Sequence, residues 1–202
     1  MHLLNHGRRR RKWSFLYTCI TLLLTSMLSP GIWVGVEAGP QILIHNFGQI
    51  NQNYYRGAQP NTAEFLKLQR LGIKTVINLR EDGDSMEPSW VRNADMQYFN
   101  IPLSSRQPAT NEQTEHFLNL VNDPKNWPVF VHCAGGRHRT GEMTAIYRIT
   151  HDSWTADQAY QEMEQYDYYS IGGHGPLKDY VFEYYVKYLA ARIATETAVP
   201  GK

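Results

Sequence analysis

The sequence predicts an α/β fold: a central, mostly parallel sheet flanked by helices, preceded by a separate N-terminal segment. Three observations carry this. Short β-branched or apolar runs alternate with segments of helical period through the middle of the chain, the pattern of strands joined by crossover helices. Residues 73–79, Ile-Lys-Thr-Val-Ile-Asn-Leu, are bounded by turn residues and read as a buried strand. Residues 129–133 are a second apolar run, which passes into a glycine-bearing loop and then a helix start. In such sheets ligands bind beyond the carboxyl ends of the strands.

The elements follow in order. Residues 41–44 read as a first strand and 53–56 as a second, ending at Gly57-Ala58-Gln59-Pro60. Asn61 caps a helix whose third residue on, Glu64, completes a capping box; Phe65, Leu66, Leu68 and Leu71 form its apolar side and Gly72 ends it. After the strand at 73–79 and a loop at 80–84, residues 87–95 are helical with Pro88 in the first turn. Residues 97–101 are a further strand, and 102–108 a loop with two prolines. Residues 111–121 form an amphipathic helix with Phe117, Leu118 and Val121 inward, stopped by Asp123-Pro124. A helix runs from Arg139 to about His151. Another starts at Thr155, with Gln158 as its box partner, and extends to about Tyr166. A turn with three glycines precedes a long last helix, where Tyr180, Tyr184, Tyr188 and Val181, Tyr185, Leu189 recur every four residues as core packing.

The N-terminus is a different kind of sequence. Four arginines and Lys12 precede an apolar stretch at 13–28, and Val36-Glu37-Ala38 offers small residues at a cleavage site. Residues 1–38 are therefore expected to be a secretory signal peptide or, if retained, a membrane anchor. The apolar run is short of the roughly 20 residues of a spanning helix. Either way the domain at 39–202 is exported, periplasmic or secreted, and meets a membrane only through that segment. Without residues 1–38 the chain loses five Lys/Arg and one acid, leaving 15 basic and 18 acidic residues, a formal −3. No basic face for nucleic acid is implied. The loss of Cys19 also leaves Cys133 as the only thiol. A lone cysteine in an oxidising compartment is either a small buried hydrophobe or a reactive group.

Its neighbours decide. Between Cys133 and the helix, Ala134, Gly135, Gly136, Arg137, His138 and Arg139 can turn their backbone N–H groups around one tetrahedral anion, with the glycines supplying close approach. The helix start adds unsatisfied N–H groups and a positive dipole end. Arg139 offers a planar fork for two phosphoryl oxygens. The same features lower a thiol's pKa, making Cys133 an in-line nucleophile that would form a phospho-cysteine, later removed by water. Thr140 can hydrogen-bond the sulfur and stabilise it as a leaving group, and His132 is expected to order the loop. Arg137 and His138 either brace neighbouring loops or face the pocket, where they would favour substrates carrying several phosphates. Arg56, Arg80 and Arg106 stand in segments that could flank the mouth. Nothing here requires a metal or a cofactor.

His-Cys-x5-Arg-Thr-Gly after an apolar run resembles the Cys-dependent protein tyrosine and dual-specificity phosphatase superfamily. The resemblance covers roughly residues 51–166 and is densest at 128–141. Gly136-Arg137-His138-Arg139-Thr140-Gly141 is similar to the Gly-Lys-His-Arg-Thr-Gly loop of the atypical plant- and fungal-type dual-specificity branch, which includes inositol pyrophosphate phosphatases. Residues 55–60 and 74–80 are similar to blocks of bacterial relatives. The resemblance implies a protein-tyrosine-phosphatase-like fold of the dual-specificity type, with the nucleophile at Cys133 and the phosphate-gripping arginine at Arg139.

One departure matters. The family commonly places an aspartate general acid about thirty residues before the cysteine, in the loop that here spans 102–110 and holds no Asp or Glu. Asp82 and Asp84 on another sheet-end loop and Glu112 in the next helix are the candidates that remain. General acid help is typically worth 10²–10⁴-fold, mainly for basic leaving groups, so its absence favours aryl or anhydride phosphates. The expected activity is hydrolysis of phosphate monoesters, of protein tyrosine or dual-specificity type. The alternatives are a phosphatase of inositol polyphosphates or pyrophosphates and a catalytically weak phosphate-binding module. A sulfurtransferase loop is usually one residue shorter, and arsenate reduction generally needs resolving cysteines.

Overall fold

A computed structural model describes residues 40–198; residues 1–38, expected to be a signal peptide or membrane anchor, lie outside the described residues. The sheet has five strands: β1 (Gly48–Asn51), β2 (Tyr54–Ala58), β3 (Thr75–Arg80), β4 (Gln97–Leu103) and β5 (Val129–Cys133). Their spatial order is β1-β2-β5-β3-β4, with β1 antiparallel to β2 and every other pairing parallel. β5 is thus the central strand. Its last residues sit in register with the ends of both neighbours, Cys133 opposite Ala58 and His132 opposite Asn78.

Six α-helices and a short 3-10 turn at Pro124–Asn126 complete the described fold: α1 (Thr62–Arg70), α2 (Glu87–Asn93), α3 (Asn111–Asn122), α4 (His138–His151), α5 (Ala156–Gln165) and α6 (Gly175–Ala198). Period-two alternation on β5 sorts the two faces. Val129, Val131 and Cys133 point into a core with Phe117 and Val121 of α3, Met143 and Ile146 of α4, and Tyr180 of α6. Phe130 points the other way, against Phe65 and Leu68 of α1 and Val91 of α2. A third cluster joins α4, α5 and α6 through Ala145, Ile149, Ala159, Met163 and Val181. No helix among the described residues is long and apolar enough to cross a membrane.

The parallel core and its helices match the sequence-based expectation; the N-terminal edge does not. Residues 41–44 are not a strand but an extended arm whose Ile44 is buried against the sheet. The outer strand is instead β1, a polar segment whose backbone pairs with β2 across a tight turn. β4 also runs two residues further than expected, through Pro102, and so shortens the loop that follows. Asn61 caps α1 by accepting from the Glu64 N–H, but Glu64 does not return the bond. Its carboxylate accepts from Lys67 and from the Leu43 N–H, tying the arm to α1. Full capping boxes form at Thr155/Gln158 and, unforeseen, at Thr110/Gln113. On α6, Tyr180 and Val181 are buried as the stripe predicts, whereas Leu189 is exposed.

Candidate active site

β5 ends at Cys133, and four irregular residues carry the chain to the first turn of α4. Three successive carbonyls of this turn are tied outward. The Ala134 carbonyl accepts from the Gln59 N–H at 3.2 Å, the Gly135 carbonyl from Asn46 Nδ2 at 2.9 Å, and the Gly136 carbonyl from Arg56 Nη2. With the carbonyls held on the outside, the N–H groups are left for the concave side, the arrangement that binds an anion. Gly136 makes it possible on two counts. Its φ is +66°, and a Cβ there would stand 2.6 Å from the Gly57 carbonyl carbon and 2.7 Å from the Ala58 nitrogen. β2 and the loop touch backbone to backbone.

The Cys133 thiol is free and almost fully buried. Burial by itself pushes its pKa up. The Thr140 hydroxyl, the Arg139 charge and the N–H groups of Thr140 and Gly136 outweigh that, and the thiol lies below its ordinary value. The Thr140 hydroxyl is buried and makes no hydrogen bond to another side chain or backbone group among the described residues.

Arg139 is buried at the start of α4. Its Nη1 donates to Asp82 Oδ1 and to the Leu103 carbonyl, each at 3.3 Å. Nε and Nη2 make no hydrogen bond among the described residues, so one edge of the fork is open for two phosphoryl oxygens. Of the three candidate acids only Asp82 reaches this site. The hydrogen bond from Arg80, then that from Arg139, hold its carboxyl at about 2, the ionised state that cannot donate a proton. Asp84 instead accepts from the Met86 N–H ahead of α2. Glu112 lies fully exposed in the first turn of α3, where its own N–H and Thr110 favour its ionised form.

His132 orders the region from the far side of the sheet. Its Nε2 lies 2.7 Å from Glu87 Oε1 with both side chains wholly buried, and Glu87 accepts in turn from Asn78. The histidine thus pins β5 to α2 and β3 rather than touching the sulfur's pocket. Arg137 folds back beside Gly135, where a Cβ would meet its Nε at 3.2 Å; that Nε is buried without a partner. His138 is taken up by the segment between α5 and α6: its ring stacks on His174 and meets Tyr168 and Tyr169 edge-on. His138 is thus engaged by the segment between α5 and α6, while the Arg137 side chain makes no hydrogen bond among the described residues. Arg80 bonds Gln59 and Asp82, and Arg106 packs beside Gly173.

Sequence reasoning missed Asn46 and the α5–α6 segment, and Arg56, one of three arginines that could flank the mouth, is instead fully buried beneath the loop. Asn46 holds a left-handed φ of 53°, a conformation its residue type tolerates but does not announce. The Gly48 position carried a readable trace of Tyr166, since a Cβ there would overlap the Tyr166 hydroxyl.

Comparison with known proteins agrees with this geometry. A family described as DSP-PTPase phosphatase fused to NAD+ kinase matches residues 45–174. The dual specificity protein phosphatase TpbA of Pseudomonas aeruginosa is 30% identical over 134 residues, 66% of this chain and 57% of TpbA. The inositol diphosphatase DSP4 of Arabidopsis thaliana is 25% identical over 126 residues, 60% of this chain and 63% of DSP4. The chain thus corresponds to less than two thirds of the length of each. The crystal structure of TpbA superimposes with a TM-score of 0.62 at 27% identity, covering 74% of this chain and 91% of that one. A cysteine-to-serine variant of TpbA in complex with pTyr gives 0.54 at 25% identity, covering 70% and 90%. The catalytic core of the PP-IP phosphatase Siw14 from S. cerevisiae, at 20% identity, shares the fold with a TM-score of 0.63 over 78% and 96%. A family match over residues 45–174, more than half of the chain, places this protein in the DSP-PTPase family of tyrosine and dual-specificity phosphatases.

Proposed function

We propose that this protein hydrolyses phosphate monoesters through a phospho-cysteine on Cys133, and that its substrates are of the protein tyrosine or dual-specificity type. The observation that carries the reading is the set of three outward-tied carbonyls around a thiol of lowered pKa, with one edge of Arg139 open. The thiolate attacks phosphorus in line, while Arg139 and the loop N–H groups take up charge on the equatorial oxygens. Thr140 then steadies the sulfur as it leaves. The similarity to TpbA, whose variant is seen with pTyr, supports an aryl phosphate as substrate.

A second reading, a phosphatase of inositol polyphosphates or pyrophosphates, is supported by the similarity to DSP4. The local charges weigh against it. His138 is taken up in stacking on His174, and the exposed Asp82 carboxylate beside Arg139 would repel a second phosphate. Release of phosphate by the purified chain and by Cys133→Ser decides among the readings when measured on a phosphotyrosine peptide, phenyl phosphate and a polyphosphorylated inositol. Release from the first two alone, lost in the variant, supports the aryl reading. Release from none of the three would leave a phosphate-binding module. Export through residues 1–38 belongs to the same proposal, and cell fractionation of the tagged chain tests it.

A further inference from the structure

The segment between α5 and α6 closes on the phosphate loop from the side that lacks an acid. His174, at its end, stacks on His138 with ring centroids 3.6 Å apart and 14° between the planes. Its Nδ1 lies 2.6 Å from the Ser105 carbonyl. Ser105 belongs to the loop after β4, the one with neither Asp nor Glu. A carbonyl only accepts, so Nδ1 carries a proton and Nε2 is the atom at which the ring gains or loses its second one. Nε2 makes no hydrogen bond among the described residues, and it is not sealed in the interior as His138 Nε2 is.

We propose that His174 protonates the leaving group, in place of the aspartate that its loop lacks. This rests on the phosphatase reading of Cys133. In the first step the Cys133 thiolate forms the S–P bond as the ester P–O bond breaks, and the departing oxygen takes the Nε2 proton, leaving a neutral imidazole. In the second step a water gives a proton to that Nε2 while its oxygen bonds phosphorus. The P–S bond breaks, returning thiolate, inorganic phosphate and the protonated ring.

The surroundings fit one mobile proton. His138 faces His174 from the first turn of α4, with Arg137 and Arg139 acting on His138; Arg106 lies beside Gly173 from the loop after β4, and Tyr168 and Tyr169 flank His174 on its own segment. Burial first, and then the facing His174, hold His138 at about 4, so one ring of the stack stays neutral. The rival acids are excluded by state or by place. Asp82 is ionised between two guanidinium groups, and the fully buried Glu142 has Oε1 on the Ala109 N–H.

The test uses the purified full chain, its Cys133→Ser, His174→Ala and His174→Gln variants, and two esters, phenyl phosphate with a basic leaving oxygen and p-nitrophenyl phosphate with a weakly basic one. Glutamine keeps an N–H for the Ser105 carbonyl but transfers no proton. Both His174 variants should lose about 10²-fold or more in kcat on phenyl phosphate and no more than about fivefold on p-nitrophenyl phosphate. Both should also lose the basic limb of the kcat–pH profile. Wild-type turnover of phenyl phosphate by His174→Gln, or equal losses on both esters, would reduce His174 to a clamp on the Ser105 loop and overturn the proposal. If wild type releases no phosphate from either ester, the phosphatase reading fails and this one with it. Activity that vanishes in Cys133→Ser yet ignores His174 fails this one alone.

Discussion

Arg56 reaches from β2 under the phosphate loop to the Gly136 carbonyl, with its guanidinium carbon 3.9 Å from the centre of the Tyr166 ring. It is fully buried, and Nε and Nη1 have no partner. A buried cation with two unsatisfied donors is poor evidence for stability, because desolvation costs about what its contacts return. Burial accordingly lowers its pKa, while Tyr54, Tyr166, Glu162 and Cys133 act in the other direction. The cation's use is in the site: it fixes one loop carbonyl outward and places a positive charge beneath the thiolate and its phosphate.

Arg56→Met should therefore separate stability from function. The lost hydrogen bond and ring contact are worth roughly 1–3 kcal/mol together, and relief from burying unpaired donors offsets much of that. Chemical denaturation is expected to show a change within about 2 kcal/mol of wild type. The pH midpoint of Cys133 alkylation by iodoacetamide should move up, and the affinity for inorganic phosphate should fall. An unchanged alkylation midpoint would remove Arg56 from the electrostatics of the thiol.

The two glycines of the loop should behave unequally. At Gly136 an alanine meets both a positive φ of 66° and backbone atoms at 2.6–2.7 Å, neither of which can yield without parting the loop from β2. Strain and overlap together should cost about 2–4 kcal/mol, and phosphate should no longer raise the melting temperature. At Gly135 the nearest atom is Arg137 Nε at 3.2 Å, on a side chain that can shift, and φ is not in the left-handed region. Gly135→Ala should stay within about 1 kcal/mol of wild type in thermal denaturation. Equal losses at the two positions would contradict the backbone-contact account.

Asp82 should prove to be an orienting group. Its carboxylate lies 3.3 Å from Arg139 Nη1 and 3.2 Å from Arg80 Nε. Because these partners depress its pKa to about 2, its contribution to stability is full above about 3.8 and is lost as pH falls toward 2. The side chain is 63% exposed, so solvent screening keeps that contribution below about 1 kcal/mol. Asp82→Asn should change kcat on phenyl phosphate by less than tenfold and preserve the basic limb of its pH profile, because the Leu103 carbonyl still holds Arg139. A hundredfold loss of kcat together with that limb would assign the proton to Asp82 after all.

What the sequence made legible was local. The Cys133–Arg139 spacing, the mostly parallel character of the sheet and the Thr155 cap rest on local spacing, on the alternation of strands with helices or on contacts between near neighbours, and these leave a pattern in one dimension. What it hid was made by distant segments. Asn46 meets Gly135, Arg56 meets Gly136 and His174 meets Ser105 across separations of 89, 80 and 69 residues. β1 was overlooked because its polar residues carry no alternation; backbone pairing to β2 makes it a strand. The arm at 41–44 misled for the converse reason. An apolar run needs a buried surface, and Ile44 finds one against the sheet without any ladder.

Glu142 is a buried carboxyl near the site that opposes stability at neutral pH. It sits on α4, one turn beyond Arg139; its Oε1 accepts from the Ala109 N–H at 2.9 Å and its Oε2 is buried without a partner. Burial raises its pKa to about 8, and the Ala109 bond only partly opposes this. The unfolded chain releases the proton near 4.5 and the folded one near 8, so between those values the folded state binds the extra proton. Stability then falls as pH rises, by up to about 1.4 kcal/mol for each pH unit. Glu142→Gln removes the titration while keeping an acceptor for the Ala109 N–H. Melting temperatures measured from pH 4.5 to pH 8.5 should coincide at the acid end and diverge toward the basic end. There the variant should be the more stable by about 1–3 kcal/mol, discounted from the full linkage value because glutamine's own N–H groups inherit the unpaired position. A variant less stable than wild type at pH 8 would mean that Glu142 is ionised and paired in the fold, and that the loop after β4 is held by charge rather than by a neutral hydrogen bond.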